Sequence, residues 1–479
     1  MLSTKKVKRI FLYILGAYVV FALAFYYLAG DQLRYRNSRE NIAMLPAETA
    51  IEELRDGIII EQSFSTRVQR IEKISVLWGT YYRANFGNMT MSLVRESDSF
   101  VLAQSSFDVS TIGENQILSI EFEQPLEDLC NVPLIIRTQS DSAPGASVTP
   151  MVNLSSQGDP INGSLNINGD VVDGRMCFSV EGEEYIWTGL HYWTFAGILF
   201  VILGLFLFIQ SYVYEKKGNT RLIGAINAAV KYKFLIKQLV SRDFKTKYRR
   251  SILGMFWSFL NPLMMMVVQY FVFSTIFKSD INHYPAYLII GIVSFNFFSE
   301  ACGLSLVSVL GNANLIKKVY MPKYIYPLTR TMSSSVNFGI SLIPLSIVAF
   351  ATGVHFHKST LLAFFFWACL IVFCIGLGML LASSMVFFRD TQFLWGVLST
   401  IWMYATPIFY PESILPDNFK FVLRINPLYY FLKSVRMCIL DGLSPEPRMY
   451  FSCAIMALSM LCFGAFIFKK TQDKFVLYL

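Results

Sequence analysis

The stretch FLYILGAYVVFALAFYYLA, from Phe11 to Ala29, decides the class of this protein. It has 19 residues and no charge. A helix of this length spans ~28 Å at ~1.5 Å per residue, which is the thickness of the hydrocarbon core of a bilayer. Of the 479 residues in the chain, 54% are hydrophobic, more than one soluble core can bury. The sequence therefore predicts an integral membrane protein.

The residues around this stretch predict its orientation and its fate. Basic residues precede it, which predicts a cytoplasmic start. These are Lys5, Lys6, Lys8 and Arg9. The apolar run is longer than a usual signal-peptide core, and no clear small-residue cleavage site follows Gly30. Residues 1–30 are therefore predicted to be a retained transmembrane anchor.

Residues 31–189 have a different pattern, without a run of membrane length. Short segments of alternating apolar and polar residues, such as MTMSLV at 89–94, are separated by Gly, Asn, Asp and Pro. The segment contains 23 Asp and Glu against 11 Lys and Arg, a net charge of −12. Such a segment predicts an extracytoplasmic β-sandwich of roughly eight strands, inserted between two membrane spans.

Glycan recognition is a candidate role for this sandwich, because clustered aromatic rings and an arginine fork are what carbohydrate binding uses. The candidate residues are Trp78, Tyr81, Tyr82 and Arg83. The alternative is that Trp78 belongs to the core and that Tyr81 and Tyr82 form a turn. Both interpretations remain open at the level of sequence.

The cysteines and histidines predict little chemistry. Cys130 and Cys177 are the two cysteines of the polar segment, and they can form one disulfide or remain two buried thiols. His355 and His357 share a predicted external loop, but two histidines alone are a weak signal for a metal site. No metal site and no catalytic residues are predicted.

The rest of the chain predicts a polytopic helical protein. A second span covers 190–214, a basic cytoplasmic linker with an amphipathic interface helix covers 215–252, and a six-span domain covers 253–479. The six spans are Leu253–Phe277, Tyr287–Leu310, Tyr326–Phe350, Leu361–Phe387, Phe393–Phe409 and Tyr450–Phe468. With the two earlier spans the prediction is about eight in all, and both termini are expected in the cytoplasm.

The linker contains the segment KYKFLIKQLVSRDFKTKYRR, residues 231–250, whose helical spacing separates apolar from basic side chains. Its cations are candidates for contact with a pyrophosphate headgroup. These are Arg242, Lys245, Lys247, Arg249 and Arg250. The alternative is that most of them contact anionic lipid.

The segment LVSRDFKTKYRRSILGMFWSFLNPLMMMVVQYFVFSTIF, from Leu239 to Phe277, resembles the opening of a known family. Further similar motifs are NLIKKVYMP at 314–322, ATPIFY at 405–410 and NPL at 426–428. The family is the ABC-2 type transmembrane subunit of ATP-binding cassette exporters of polysaccharide, teichoic acid and O-antigen. The resemblance covers about residues 230–479, so the first span, the sandwich and the second span are additions to the family's usual six-span subunit.

The resemblance implies a set of partners. Its first cytoplasmic loop would form a coupling helix that enters a groove on the ATPase subunit. By position, the coupling residues would be Asn314, Leu315, Ile316, Lys317, Lys318, Val319 and Tyr320. The chain has no G-x-x-x-x-G-K-[ST] phosphate loop, so ATP and Mg are expected on two copies of a separate ATPase subunit. A homodimer of this chain is expected, and no cofactor or nucleic-acid partner is.

The resemblance also implies a gate near 411–441, at the outer mouth of the pore. An ordinary amphipathic external loop is the alternative. A pore for sugar should be rich in aromatic residues, because pyranose rings stack on them. The candidates are Trp257, Tyr270, Phe273, Trp402, Tyr404, Phe409 and Tyr410, although aromatic residues at span ends are often interfacial anchors.

The function predicted from these features is the permease of an exporter that moves a lipid-linked polysaccharide across the cytoplasmic membrane. Two other classes fit parts of the pattern. One is an exporter of drugs or lipids on the same scaffold. The other is a membrane-anchored glycan-binding or glycan-assembly protein, which would not need six further spans.

Overall fold

The protein is described from a computed structural model that covers residues 4–42, 49–153, 163–218, 220–249, 252–277, 283–318, 321–416, 418 and 420–478. The chain divides into two compact units. The membrane unit comprises Met1–Leu33 and Tyr192–Leu479, and the β unit comprises Arg34–His191. This composition confirms the predicted class, a polytopic helical protein with an inserted all-β region.

The β unit contains two antiparallel sheets. Its strands are β1 Tyr35–Ile42, β2 Thr49–Ala50, β3 Ile59–Phe64, β4 Arg70–Gly79, β5 Asn88–Arg95, β6 Val101–Asp108, β7 Gln116–Leu126, β8 Leu134–Ser140, β9 Thr149–Asn153, β10 Leu165–Ile167, β11 Asp170–Val172, β12 Arg175–Met176 and β13 Phe178–Tyr185. The first sheet has the order β1-β13-β4-β9-β12, with β2 beside β9 and β7 beside β4; the second has the order β11-β10-β3-β8-β5-β6. The described residues thus hold thirteen strands rather than roughly eight, because four of them have only two or three residues.

The core of the β unit lies where alternating side chains point inward. In β3 the side chains alternate between buried and more exposed, as expected for a strand with one covered face. Phe64 of β3 and Phe178 of β13 meet edge to face at 4.9 Å between ring centroids. Such aromatic contacts stabilise by roughly 0.5–1.5 kcal/mol beyond the burial of their area.

The ends of the β unit are adjacent to each other. Tyr35, at the start of β1, pairs with Tyr185, at the end of β13. The loops 80–87, 109–115 and 141–148 lie at the opposite end of the strands, because they follow Gly79, Asp108 and Ser140. The described residues of this unit also include a 3₁₀ helix, Val109–Thr111, and the short helix α2, Trp187–Leu190.

The membrane unit consists of helices. They are α1 Thr4–Ala29, α3 Tyr192–Lys217, α4 Arg221–Tyr248, α5 Phe256–Phe277, α6 Tyr284–Leu306, α7 Ala313–Lys318, α8 Ile325–Ala351, α9 Ala363–Phe387, α10 Thr391–Tyr404, α11 Lys420–Ile425, α12 Pro427–Ile439, α13 Pro447–Thr471 and α14 Phe475–Tyr478. Within the described residues, seven helices are long and apolar enough to cross a membrane: α1, α3, α5, α6, α8, α9 and α13. The chain is therefore a multi-pass membrane protein.

One of the eight predicted spans, Phe393–Phe409, differs from the structure. The structure has α10 there, which is 14 residues long, whereas a membrane-spanning helix needs ~20. The helix ends at Tyr404 because Pro407 follows closely, and the residue before a proline avoids the helical conformation.

Helices α9 and α13 cross where both have glycine. A Cβ on Gly464 would lie 1.9 Å from the carbonyl oxygen of Gly376. Small residues allow this approach of two backbones, which is a common way for membrane helices to associate. The contact between α9 and α13 therefore depends on two positions without side chains.

Candidate functional site

The interface helix is α4, which begins after Thr220, whose hydroxyl accepts a hydrogen bond from the Ile223 N–H at 3.3 Å. Asp243 of α4 accepts hydrogen bonds from Arg242 and pairs with Arg330 of α8 at 2.9 Å. Lys247 pairs with Glu300 of α6 at 2.8 Å. These ion pairs attach α4 to the transmembrane helices.

The predicted headgroup cations therefore divide into two sets. Arg242 and Lys247 have carboxylate partners, whereas Lys245 and Arg249 are exposed and have no protein partner among the described residues. Arg242, Lys245 and Arg249 line one open depression of about 680 Å³ on α4. Arg250 lies outside the described residues.

The predicted coupling segment forms the short helix α7, between α6 and α8. Asn314 and Lys317 are exposed, and Ile316 packs against a cluster that includes Val309 and Phe468. Leu315 is half-buried and Lys318 ends the helix, while Val319 and Tyr320 lie outside the described residues. The segment is thus a helix with one exposed polar side and one side held by the bundle.

The predicted pore aromatics do not form one surface in the subunit. Trp257, Tyr270 and Tyr404 are exposed. Phe409 is only 6% exposed, and its ring stacks on Phe273 at 5.2 Å, so Phe409 is a packing residue within one subunit and not a pore surface.

The other two aromatic candidates have partners inside the subunit. Trp402 donates from its indole Nε1 to Asn426 at 2.7 Å and packs against Phe298. The Tyr410 hydroxyl donates to the carbonyl of Tyr404 at 2.6 Å. Both side chains therefore help to hold the chain around Pro407.

The described residues of the segment 411–441 include a 3₁₀ turn, Glu412–Ile414, and the helices α11 and α12. One junction of this segment is Arg436 of α12. This side chain is 7% exposed and lies over the Tyr287 ring at 3.4 Å. Its guanidinium donates to the carbonyl oxygens of Pro407 at 2.6 Å, Ile408 at 3.0 Å and Tyr287 at 3.2 Å. Arg436 therefore joins α12, α6 and the turn after α10.

Asn426 is a second junction in the same region. Its Oδ1 accepts from Trp402, and its Nδ2 donates to Thr406 Oγ1 at 2.8 Å. Sequence reasoning used neither Asn426 nor Arg436 as a site residue. The sequence did offer one signal for Asn426 and Arg436. Strongly polar side chains in a membrane domain are costly unless they have defined partners.

In the β unit, Trp78 is fully buried in the core of the sandwich, so it cannot contact a glycan and that candidate is corrected. Tyr81 and Tyr82 form a turn in which both residues have positive φ, at 55° and 56°. Each such residue costs roughly 1–2 kcal/mol in this conformation. The turn leaves the side chain of Tyr82 86% exposed.

Two carboxylates hold this turn. Glu114 accepts hydrogen bonds from the N–H groups of Thr80 at 2.7 Å and Tyr82 at 3.3 Å, and from the Thr80 hydroxyl. The hydrogen bond from the Thr80 hydroxyl, with those N–H groups, lowers the pKa of Glu114 below its usual range, although burial opposes the shift. Glu53 pairs with Arg83.

The Glu53 carboxylate also accepts from the N–H groups of Ser147 at 2.8 Å and Gly145 at 3.0 Å. Burial raises the pKa of Glu53, but these N–H groups and the Arg83 cation bring it below the ordinary value. Arg83 lies over the Tyr81 ring at 4.9 Å. Tyr81, Tyr82 and Arg83 are therefore brought together, without Trp78.

Cys130 and Cys177 are thiols, and no disulfide joins them in the part of the chain that the structure describes. Cys177 is buried beside β13, and Cys130 lies in the loop that meets Thr66. The described residues also contain no group of three His, Cys, Asp or Glu side chains that could hold a metal ion.

Comparison with known proteins gives one family and several relatives. Residues 234–440 match the ABC-2 type transporter family. An O-antigen export system permease protein, RfbA, of Myxococcus xanthus is 26% identical over 256 residues, which are 53% of this chain and 98% of that protein. RfbA of Klebsiella pneumoniae is 27% identical over 50% of this chain and 93% of its own length. A polysialic acid transport protein, KpsM, of Escherichia coli is 20% identical over 50% of this chain and 95% of its own length.

Proposed function

We propose that the protein is the permease subunit of an exporter for a lipid-linked polysaccharide, such as an O-antigen, capsule or teichoic-acid polymer, because residues 234–440 match the ABC-2 type transporter family. The observation that carries this proposal is the match to an O-antigen export permease over 98% of that relative's length. Half of this chain thus corresponds to a whole polysaccharide permease. The permease itself is not the catalytic subunit.

ATP hydrolysis is assigned to two copies of a separate cytoplasmic ATPase subunit, which would hold ATP and Mg. The helix α7 supports this assignment, because it exposes Asn314 and Lys317 while Ile316 fixes it to the bundle. A short helix with a rigid base and an exposed side can pass a movement of the ATPase to α6 and α8.

The pore is assigned to the interface between two copies of this chain. Asn261 of α5 and Asn296 of α6 are exposed on membrane helices, which is costly against lipid and is relieved by a water-filled path or a protein partner. The exposed aromatic residues Trp257, Tyr270 and Tyr404 would contribute sugar-stacking surface to that path.

The orientation follows from the charges. Lys8 of α1 pairs with Glu215 of α3 at 2.7 Å, so these two helix ends lie on one side. The basic residues around them and on α4 favour the cytoplasm for this side. Both termini would then be cytoplasmic, and the β unit would lie outside the cytoplasm.

We assign a glycan contact to the loop that holds Tyr82. Its ring is exposed on a turn that Glu114 and the pair of Glu53 with Arg83 stabilise. A fixed, exposed aromatic ring loses little conformational entropy on stacking with a sugar. Tyr82→Ala should weaken glycan binding, whereas Phe100→Ala, at an exposed aromatic residue at the other end of the strands, should not.

The test of the main proposal is the ATPase rate of the permease in lipid, purified with its ATPase partner, with and without lipid-linked glycan. Stimulation by the glycan is expected, and Lys317→Glu should reduce it. Arg448→Glu is the matched control, because this exposed residue lies in the first turn of α13, at the end remote from the basic last turn of that helix.

The other outcomes separate the alternatives. A stable complex whose ATPase rate ignores the glycan would favour a drug or lipid exporter. Failure to purify any ATPase with the chain would favour a membrane-anchored glycan-assembly protein. Equal effects of Lys317→Glu and Arg448→Glu would contradict the coupling role of α7.

A further inference from the structure

A polar cavity of about 310 Å³ lies between α4, α5, α6 and α8 in the membrane unit. Nine of its fourteen lining residues have polar or charged side chains. Polar and charged side chains are rare on membrane helices, where they mark binding sites and transport paths. The volume is at the lower end of the range of small-molecule sites, ~300–1,000 Å³, so the cavity can hold a small group but not a polymer.

Glu300 is the charged centre of this cavity. Its Oε1 accepts hydrogen bonds from Lys247 Nζ at 2.8 Å, Asn337 Nδ2 at 3.0 Å and Ser334 Oγ at 3.4 Å. No donor among the described residues reaches its Oε2. The carboxylate is therefore fixed through one oxygen, and the other oxygen retains its capacity to accept hydrogen bonds.

Two amide side chains of the same cavity also lack protein partners. Asn261 of α5 and Asn296 of α6 line the cavity, and neither side-chain amide makes a hydrogen bond within the described part of the chain. Both residues are exposed in the subunit, so their amides are accessible to a ligand. Each amide can both donate and accept.

An aromatic ring completes the lining. Trp257 of α5 borders the cavity with 45% of its surface exposed. A sugar residue has hydroxyl groups that both donate and accept, and an apolar face that stacks on such a ring. The charge of the Glu300 carboxylate is balanced by its partner Lys247, which lines the same cavity. An uncharged group with both polar and apolar surface therefore matches this lining.

We propose that this cavity binds one uncharged sugar residue of the exported molecule. This inference rests on the proposed function. Asn261, Asn296 and Glu300 Oε2 would hydrogen-bond the hydroxyl groups, and Trp257 would stack on the ring. Glu300 lies six residues before the end of α6, on the side of α7. The site is therefore at the end of the bundle where the coupling segment begins.

The experiment compares two probes on the permease–ATPase complex in lipid nanodiscs. One probe is polyprenyl pyrophosphate that carries a single N-acetylglucosamine, and the other is polyprenyl pyrophosphate without sugar. The wild type should bind the sugar-bearing probe more tightly. Asn296→Leu should weaken that binding about 3- to 10-fold, the effect of one lost hydrogen bond, and leave binding of the sugar-free probe unchanged.

Glu300→Gln is the second variant, because it keeps the shape of the side chain and removes its charge. Met264→Leu is the control, since Met264 is exposed on α5 outside the cavity. Equal losses for both probes in Asn296→Leu, or no loss for either, would overturn the inference. Equal binding of the two probes by the wild type would do the same. If the wild type bound neither probe, the proposed function would fail together with the inference.

Discussion

Gly291 and Gly303 of α6 offer a comparison between two substitutions of the same kind. A Cβ on Gly291 would lie 2.9 Å from Arg436 Nη2, 2.9 Å from Ile408 Cγ2 and 3.2 Å from the Ile408 carbonyl oxygen. A Cβ on Gly303 would meet no atom within 4 Å. Gly291→Ala therefore has to displace a guanidinium that donates to three backbone carbonyls, whereas Gly303→Ala displaces nothing.

The magnitudes follow from these contacts. Overpacking of a filled interior typically costs about 1–3 kcal/mol. The added methyl group of Gly291→Ala would also strain the hydrogen bond from Arg436 Nη2 to the Ile408 carbonyl, which is 3.0 Å long. Gly303→Ala should stabilise the helix by about 0.5–1 kcal/mol, because alanine restricts the unfolded chain. The two variants should therefore differ by roughly 2–4 kcal/mol.

Thermal unfolding of both variants in the same detergent measures this difference. At roughly 2 °C per kcal/mol for a unit of this size, Gly291→Ala should unfold several degrees below the wild type, and Gly303→Ala at or above it. If both variants unfolded at the wild-type temperature, the packing of Gly291 against Arg436 would be wrong. If both variants lowered the unfolding temperature equally, the loss would come from any added side chain on α6 and not from the contact with Arg436.

Three further predictions concern other parts of the chain. Gly464→Ala should lower the unfolding temperature by more than Gly303→Ala changes it, because its Cβ would clash with the backbone of α9; equal temperatures would refute the crossing of α9 and α13. Arg436→Met should lower the free energy of unfolding by about 3–5 kcal/mol, the range for breaking a buried charged network. Lys433→Met removes a half-exposed pair with Glu412 and should lower it by at most about 1 kcal/mol. Unfolding in detergent measures both variants. Because the pKa of Glu114 is lowered in the folded protein, this carboxylate stabilises the fold above its ordinary pKa, and the stabilisation is lost as the pH falls through the folded pKa. In urea titrations at several pH values, Glu114→Gln should therefore make the stability of the β unit less dependent on pH on the acid side. An unchanged pH dependence would contradict the role of this carboxylate.

The sequence predicted the long elements because their signals are local. The run Phe11–Ala29 lies within α1, and the alternation at 89–94 lies within β5. Apolar length and a period of two residues are properties of neighbouring positions, so they need no tertiary information. The fold class followed from them.

The helix α10 was misjudged for a physical reason. Its composition is as apolar as that of a span, but the helix ends at Tyr404, and the turn that follows is held by Asn426 and Arg436 from more than twenty residues away. A window of hydropathy cannot detect a helix end that distant residues stabilise. The same limit explains Phe409, whose burial depends on Phe273.

The candidate sites also divide into residues that local sequence patterns identify and residues that only tertiary contacts identify. Exposed residues of α4 and α7 could be selected from charge and position alone, but the pairing of Lys247 with Glu300 joins residues 53 positions apart. Trp78 was ambiguous because an aromatic residue in a strand fits a core and a surface equally well. The structure separates Trp78 from Tyr82, four positions later, by burying one and exposing the other.

The pairing of Tyr35 with Tyr185 makes the β unit a removable insert. Residues that face each other on adjacent strands have Cα atoms about 5 Å apart, so a turn of a few residues could replace residues 36–184 without stretching the chain. The hairpin of α1 and α3 would remain, because the Tyr192 hydroxyl donates to the carbonyl of Ala22 at 2.8 Å within the membrane unit. Such a shortened chain would separate the contribution of the membrane unit from that of the β unit, which one polypeptide now combines.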